Sequence, residues 1–201
     1  MLKGSDVMPP RVRTSEEDIV NAAIEIVREK GSEAVNARSV AERLGCSVQP
    51  IFRVFSSMDE VRAAVYKGAE EIYNRAMMTA MHESGEGFLA MGIAYVLFAK
   101  TEKNLFRLLF MSGAFNQGSA ADIAGSTQGD DEVIALISSM TGIAKAKAQE
   151  LFTAIWFTVH GMASLLATNS CTLSDEETRR ILKMTFEGLC HSLKTEENLI
   201  K

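Results

Sequence analysis

The sequence predicts an all-α fold for the 201-residue chain, and three observations lead to it. Apolar residues recur at helical spacing along most of the chain, no segment alternates as an amphipathic strand does, and helix-capping residues stand at the ends of the apolar stretches. With 47% hydrophobic and 23% charged residues, the composition is that of a globular protein and excludes a disordered chain. The length allows one domain or two small ones.

The first two predicted helices span residues 15–30 and 37–44. The apolar residues of the first helix share one face: Ile19, Ala22, Ala23, Ile26 and Val27. Both helices begin at residues that accept backbone N–H groups and end at glycines that stop helices. These are Ser15 or Thr14 and Gly31 for the first helix, and Asn36 and Gly45 for the second.

A compact segment, residues 48–55, precedes the longest predicted helix, which continues to about Met81. Ser57 caps this helix, and Glu60, three residues further on, completes a capping box. The segment 113–129 contains four glycines and predicts a loop. The remaining predicted helices span residues 88–99, 105–111, 130–140, 144–167 and 175–193, the last capped by Ser174.

Residues 151–172 contain no charged side chain, which raises the question of a membrane span. The strongly apolar part ends at Ala167, and eight polar residues interrupt the stretch, so we expect a helix buried in a core or a subunit interface. Residues 1–14 lack the apolar region of a secretory signal. The three cysteines are far apart and odd in number, which is typical of a protein of the reducing cytoplasm.

The segment VNARSVAERLGCSVQPIFRVF, residues 35–55, has the pattern of a helix-turn-helix unit. Gly45 supplies the turn, because glycine tolerates positive φ. On the second helix, Gln49 and Arg53 fall opposite the apolar face, where they would meet adenine and guanine edges in the major groove. The apolar residues predicted to lock the two helices together are Val40, Leu44, Val48, Ile51 and Phe55.

Pro50 is compatible with the second helix of this unit. If Ser47 is the cap, Pro50 is the third helical residue, and its missing N–H would have had no intrahelical partner. The Ser47 hydroxyl would then accept the N–H of Gln49.

Residues 15–67 resemble the DNA-binding domain of the tetracycline-repressor (TetR) family. The segments that carry the resemblance, at family spacing, are DIVNAAIEIVREKG, SVAERLGCS and IFRVFSSMDEV. A second resemblance, to the ligand domain of that family, is carried by NLFRLLF, residues 104–110, and by WFTVHGMASL, which contains Trp156, His160 and Gly161.

The resemblance implies an all-helical homodimer. Each subunit would have a three-helix helix-turn-helix DNA-binding head, residues 1–60, and a helical ligand-binding and dimerisation domain, residues 61–201. Members of the family are mostly repressors that a small molecule releases from DNA, so the expected partners are double-stranded DNA, a second copy of the chain and a small hydrophobic ligand. The last two helices would form a four-helix bundle with the partner subunit through one apolar stripe: Leu182, Phe186, Leu189 and Leu193.

The predicted DNA contacts are Arg38, Ser47, Val48, Gln49, Pro50, Phe52 and Arg53. For Arg38, a phosphate contact and a surface ion pair with Glu42 are equally consistent with the sequence. The distribution of charge is a weak indication that DNA binds the N-terminal part. Residues 1–67 carry ten basic and ten acidic side chains, whereas residues 68–201 are more acidic, with eleven basic and sixteen acidic side chains.

Three residues of this head depart from the family pattern: Phe52 replaces a tyrosine, Val54 a histidine and Met58 a lysine. Each replacement removes a contact to the DNA backbone. Arg11 and Arg13 are candidates to restore such contacts as an N-terminal arm. The departures leave an alternative function open, that of a helical dimeric carrier or interaction protein with a decayed DNA reader.

The predicted ligand-binding residues are Phe98, Phe106, Phe110, Met111, Phe152, Trp156 and His160. A cavity lined by such side chains suits an uncharged, partly aromatic molecule, and the segment 113–129 is a candidate gate. For His160, a core histidine bonded to a neighbour is favoured over a ligand contact.

Enzyme signatures are absent from the sequence, which has no HExxH, P-loop or GxSxG motif. Cys190 and His191 are adjacent on a predicted helix, so their side chains diverge and do not form a dyad. We therefore expect no catalytic residues, no metal site and no cofactor.

Overall fold

The computed structural model describes residues 14–83, 87–112 and 130–199, and within these ranges the chain forms helices and turns without a β-strand. The all-α prediction is thereby confirmed. A single turn of 3₁₀ helix, Ser32–Ala34, follows the first helix. The described α-helices are α1 (Glu16–Lys30), α2 (Ala37–Arg43), α3 (Gln49–Val54), α4 (Met58–Glu83), α5 (Phe88–Thr101), α6 (Lys103–Phe110), α7 (Asp130–Thr141), α8 (Lys145–Ala167) and α9 (Asp175–Leu199).

The head consists of α1, α2 and α3, packed on the first turns of α4. The predicted apolar face of α1 is buried. Its N-terminal cap is Ser15, whose hydroxyl accepts the N–H of Asp18 at 3.1 Å while the Asp18 carboxylate accepts the N–H of Ser15 at 2.8 Å. Gly31, at φ 86°, ends α1, and Asn36 caps α2, as the sequence predicts.

Helix α4 continues without a break from the head into the C-terminal part of the chain. Its predicted capping box forms only in part. The Ser57 hydroxyl accepts the N–H of Glu60 at 3.3 Å, but the Glu60 carboxylate accepts the N–H of Ser56 at 2.8 Å instead of that of Ser57. The predicted domain boundary at residues 60–61 lies within the first turn of this helix and stays a prediction.

The C-terminal core forms around α5 and α8, which pack along each other. Helix α8 is long and apolar enough to cross a membrane. However, it also contacts α6, α7 and α9, and its residues Leu151, Ile155, Val159 and Ala163 are buried among them. Its apolar character is therefore accounted for by its central position in a helical core.

Head and C-terminal core meet where α1 contacts α6. The Arg28 guanidinium donates from Nε and Nη2 to the two carboxylate oxygens of Glu102, both at 3.0 Å. Beside this pair, the side-chain amide of Asn104 donates to the Arg28 carbonyl oxygen at 2.8 Å. These bonds tie the C-terminal end of α1 to the start of α6.

The predicted intersubunit stripe of α9 packs on its own chain, which corrects the sequence analysis. Leu182 is buried, and the other three residues of the stripe lie half-buried against the core. The large apolar side chains that α8 and α9 expose are different ones, Phe157 and Leu165, 50% and 49% exposed, and Met184, 62% exposed. Periodicity identifies an apolar face of a helix, but it does not say which neighbour covers that face.

Candidate nucleic-acid interface and interior cavity

The turn between α2 and α3 has the geometry of a helix-turn-helix unit. Gly45 has φ 64°, and its N–H donates to the Glu42 carbonyl oxygen at 3.1 Å. The next N–H, that of Cys46, donates to the Ala41 carbonyl oxygen at 3.0 Å. Glycine adopts this positive φ without the steric cost of a Cβ, so the chain can turn between the end of α2 and the start of α3.

The residues predicted to lock these helices together fall into two groups. Val40, Ile51 and Phe55 are buried and Leu44 is partly buried against them. Val48 is exposed, so its assignment to this apolar lock is wrong. Val48 immediately precedes Gln49, the first residue of α3.

The start of α3 lies one residue later than predicted. Val48 is the cap residue with helical backbone angles, φ −71° and ψ −18°, and no side chain caps the helix. The Val48 carbonyl oxygen accepts the N–H groups of Ile51 at 3.2 Å and of Phe52 at 3.4 Å. Ser47 is therefore not the cap, and Pro50 is the second helical residue, where its missing N–H still has no intrahelical partner to lose.

Helix α3 exposes a polar face that no other described residue covers. Gln49 and Arg53 are one helical turn apart, both are exposed, and they lie opposite the buried Ile51. Arg38, on α2, is also exposed and forms no ion pair with Glu42 in the described part of the chain. By contrast, Arg43 pairs with Glu29 of α1. Exposed cations such as Arg38 and Arg53, which pair with no other described residue, fit an anionic surface.

The three departures from the family pattern have different environments. Phe52 and Val54 are exposed on α3. Met58, at the start of α4, packs partly buried against the core of the head. Only Phe52 and Val54 are thus presented on the same helix as Gln49 and Arg53.

An interior cavity opens between four helices of the C-terminal part. About 60 Å³ of it is open to the centre of a water molecule, and the whole recess measures about 620 Å³ when the solvent at its open mouth is included. Its lining contains the amide of Asn74 and otherwise aromatic, methionine and aliphatic side chains, with no charged group among the described residues. The lining residues are Tyr73, Asn74, Met77 and Met78 of α4, Phe88, Met91, Gly92 and Tyr95 of α5, Val133 of α7, and Phe152, Ile155, Trp156 and Val159 of α8.

Two of the seven predicted ligand-binding residues, Phe152 and Trp156, line this cavity. Four others, Phe98, Phe106, Phe110 and His160, form an aromatic cluster behind Tyr73 and Tyr95. Met111 is exposed at the end of α6. The seven predicted residues include none from α4, which contributes Met77 and Met78 to the lining.

Tyr95 and His160 form the main polar contact of the aromatic cluster. The Tyr95 hydroxyl lies 3.0 Å from His160 Nδ1, and the imidazole stacks on Trp156 with 4.7 Å between ring centroids and 7° between planes. Burial raises the pKa of the Tyr95 phenol and lowers the pKa of His160. A neutral imidazole therefore shares one hydrogen bond between its Nδ1 and the Tyr95 hydroxyl, which agrees with the prediction of a hydrogen-bonded core histidine.

Three further predictions concern a metal site, a gate to the cavity and an N-terminal arm. Among the described residues, no three His, Cys, Asp or Glu side chains are grouped as metal ligands. The candidate gate 113–129 and the arm residues Arg11 and Arg13 lie outside the described residues.

Comparisons with known proteins give one match for the N-terminal head and one for the C-terminal helices. Residues 19–65 match the family model described as bacterial regulatory proteins, tetR family, and residues 88–189 match the tetracyclin repressor-like C-terminal domain. No curated protein matches the sequence. The fold is similar to the crystal structure of a transcriptional regulator from Rhodococcus sp. Rha1, with a TM-score of 0.62 and 16% identity over 89% of this chain and 97% of that one. The two family matches together cover most of the chain, which therefore belongs to the TetR family of transcriptional regulators and is not an enzyme.

Proposed function

We propose that the chain forms a cytoplasmic homodimer that binds a palindromic DNA operator as a repressor and leaves it when a small apolar ligand fills the cavity. The observation that carries the proposal is the exposed polar face of α3. Gln49 and Arg53 are exposed there and pair with no other described residue, on a helix whose Ile51 and the following Phe55 are buried in the core. A short helix of this kind fits the major groove, where Gln pairs with adenine and Arg with guanine.

Dimerisation is supported by uncovered apolar surface on α8 and α9. On α8, Phe157, Gly161 and Leu165 follow one another at four-residue spacing, and on α9 Met184 and Gly188 do the same. A Cβ added at either glycine would have no atom within 4 Å, so a second pair of helices has room to approach closely. Two heads related by the resulting two-fold axis would read a palindrome.

The chemistry of the cavity supports a neutral ligand. A charged molecule would leave water without gaining an opposite charge, since the described lining offers none. The Tyr95 hydroxyl is already bonded to His160, so Asn74 is the lining group with the most free hydrogen-bonding capacity. We infer a mainly apolar, partly aromatic ligand with one hydrogen-bonding group. Such a ligand releases DNA only if it binds the free conformation more tightly than the DNA-bound one.

The DNA part of the proposal is tested by selecting duplexes from a random library with the purified full-length chain. Enrichment of a palindrome is the expected result. Failure to enrich any duplex at low salt contradicts the proposal and favours the alternative, a dimeric carrier with a decayed reader. Because phosphate contacts weaken with salt, the selection is repeated at physiological ionic strength.

The ligand part is tested through Trp156, the single tryptophan of the chain. Because Trp156 lines the cavity and stacks on His160, binding of a neutral aromatic probe such as N-phenyl-1-naphthylamine should change its fluorescence. Phe152 lines the cavity, so Phe152→Ala should weaken binding of the probe. Met111 is exposed at the end of α6, so Met111→Ala should leave binding of the probe unchanged. Equal effects of the two substitutions would place the ligand elsewhere.

A further inference from the structure

The region of α3 exposes an unusual amount of large apolar surface. Nine large hydrophobic side chains are exposed among the described residues, and three of them, Val48, Phe52 and Val54, fall within seven residues. They are 39%, 47% and 40% exposed. Single exposed apolar residues are normal on a protein surface, but a cluster on one short helix indicates a surface that becomes covered in a complex.

The arrangement of these side chains follows from helical spacing. Val48 and Phe52 are four residues apart, so they form one stripe, and Gln49 and Arg53 form the stripe next to it. Val54 lies on the opposite flank of the polar stripe. A groove that receives Gln49 and Arg53 at its floor therefore receives Phe52 along one side.

The partner that fits an apolar stripe beside two polar readers is the major groove itself. The apolar group that the base edges present there is the C5-methyl group of thymine. Phe52 has no hydroxyl group with which to bind a phosphate, so burial against such a methyl group is the favourable interaction open to it. Arg38 and Arg53 are exposed and form no ion pair with another described residue, and such cations in the head favour DNA over an apolar protein partner.

We propose that Phe52, supported by Val48, reads thymine methyl groups in each half-site, next to the bases that Gln49 and Arg53 contact. This inference rests on the proposed DNA-binding function and adds a specificity determinant to it. Two of the three departures would then differ in meaning: Phe52 exchanges a backbone contact for a base contact, whereas Met58 only loses a backbone contact.

The test uses the best palindromic duplex enriched by the full-length chain, with each thymine replaced in turn by deoxyuridine. This change removes one methyl group and leaves base pairing intact. We expect one thymine per half-site at which the replacement weakens binding about fourfold, and about fifteenfold when both half-sites are changed. In Phe52→Ala, binding to the thymine duplex should fall, and the penalty for deoxyuridine at that position should disappear.

Two variants serve as controls. Val54→Ala removes a side chain of the same helix with nearly the same exposure as Val48, and it should keep the deoxyuridine penalty. Val48→Ala should reduce that penalty without abolishing it. Circular dichroism confirms that each variant is folded, as expected for exposed positions.

The outcomes separate this inference from the function on which it rests. If no duplex is enriched, both fail. If a palindrome is enriched but deoxyuridine is tolerated everywhere, or if Phe52→Ala retains the penalty, DNA binding stands and methyl readout is overturned. A uniform loss of affinity of Phe52→Ala on all duplexes would assign Phe52 to the sugar–phosphate backbone instead.

Discussion

At the scale of single residues, the burial of His160 beside Tyr95 makes the free energy of unfolding depend on pH. Burial lowers the pKa of His160 in the folded chain below its value of about 6.5 in an unfolded one. The unfolded state therefore binds more protons in the interval between the two values, and the free energy of unfolding falls as pH decreases below about 6.5. We expect His160→Gln to remove part of this acid sensitivity.

Urea unfolding between pH 7.5 and 5 measures this effect. The matched control is His191→Gln, which alters an exposed histidine of α9 and should retain the pH dependence of the wild-type chain. Identical slopes for wild type and His160→Gln would mean that His160 is protonated as easily in the folded chain as in the unfolded one.

Arg53 is the residue on which base recognition depends in the proposed function. Because Arg53 is exposed and forms no ion pair with another described residue, Arg53→Ala should leave the fold intact and cost about 1–3 kcal/mol of binding free energy on the preferred duplex. It should also relax the base preference at one position of each half-site. Binding measured on a panel of single-base variants checks this, since an equal loss on every duplex would make Arg53 a phosphate contact only.

At the scale of helices, the sequence predicted what local chemistry decides. The ends of α1 and α2 follow from Ser15, Gly31 and Asn36, whose capping and backbone preferences act within one turn. The sequence places the start of α3 one residue early, because Ser47 has the chemistry of a cap, whereas the helix begins at Gln49 after Val48, whose backbone angles are already helical. The local capping signal therefore identified the turn but not the first residue of the helix.

The contact between α1 and α6 was not predictable, since its partners are 74 residues apart in the chain. Glu102→Gln weakens both charge-assisted hydrogen bonds to Arg28 and should lower the free energy of unfolding by about 1–2 kcal/mol. Hydrogen exchange should quicken at the end of α1 and the start of α6. Glu29→Gln, which breaks a more exposed ion pair inside the head, should leave exchange in α6 unchanged.

At the scale of the whole molecule, the family motifs predicted the architecture but not the cavity. The lining is assembled from four helices, and the sequence has no signal for which faces of α4 and α5 meet α8. The aromatic residues chosen from the sequence were therefore close to the cavity without being its walls, as Phe106 and Phe110 show. A cavity is a property of three-dimensional packing, which periodicity along one helix does not encode.

The open surface around Gly161 gives the sharpest prediction on the assembly. Within one subunit, Gly161→Leu should stabilise α8 by about 0.8 kcal/mol, because leucine has the higher helix propensity and a Cβ at this position meets no atom within 4 Å. If a second subunit packs here, the same side chain fills the space that the partner helices need. Gly161→Leu should therefore raise the stability of the subunit while converting a dimer at micromolar concentration into a monomer in sedimentation velocity. Ala135→Leu adds an equally large apolar side chain on an exposed position of α7 and should leave the dimer intact. A monomeric wild-type chain, or a dimer that tolerates leucine at position 161, would contradict an interface centred on α8 and α9.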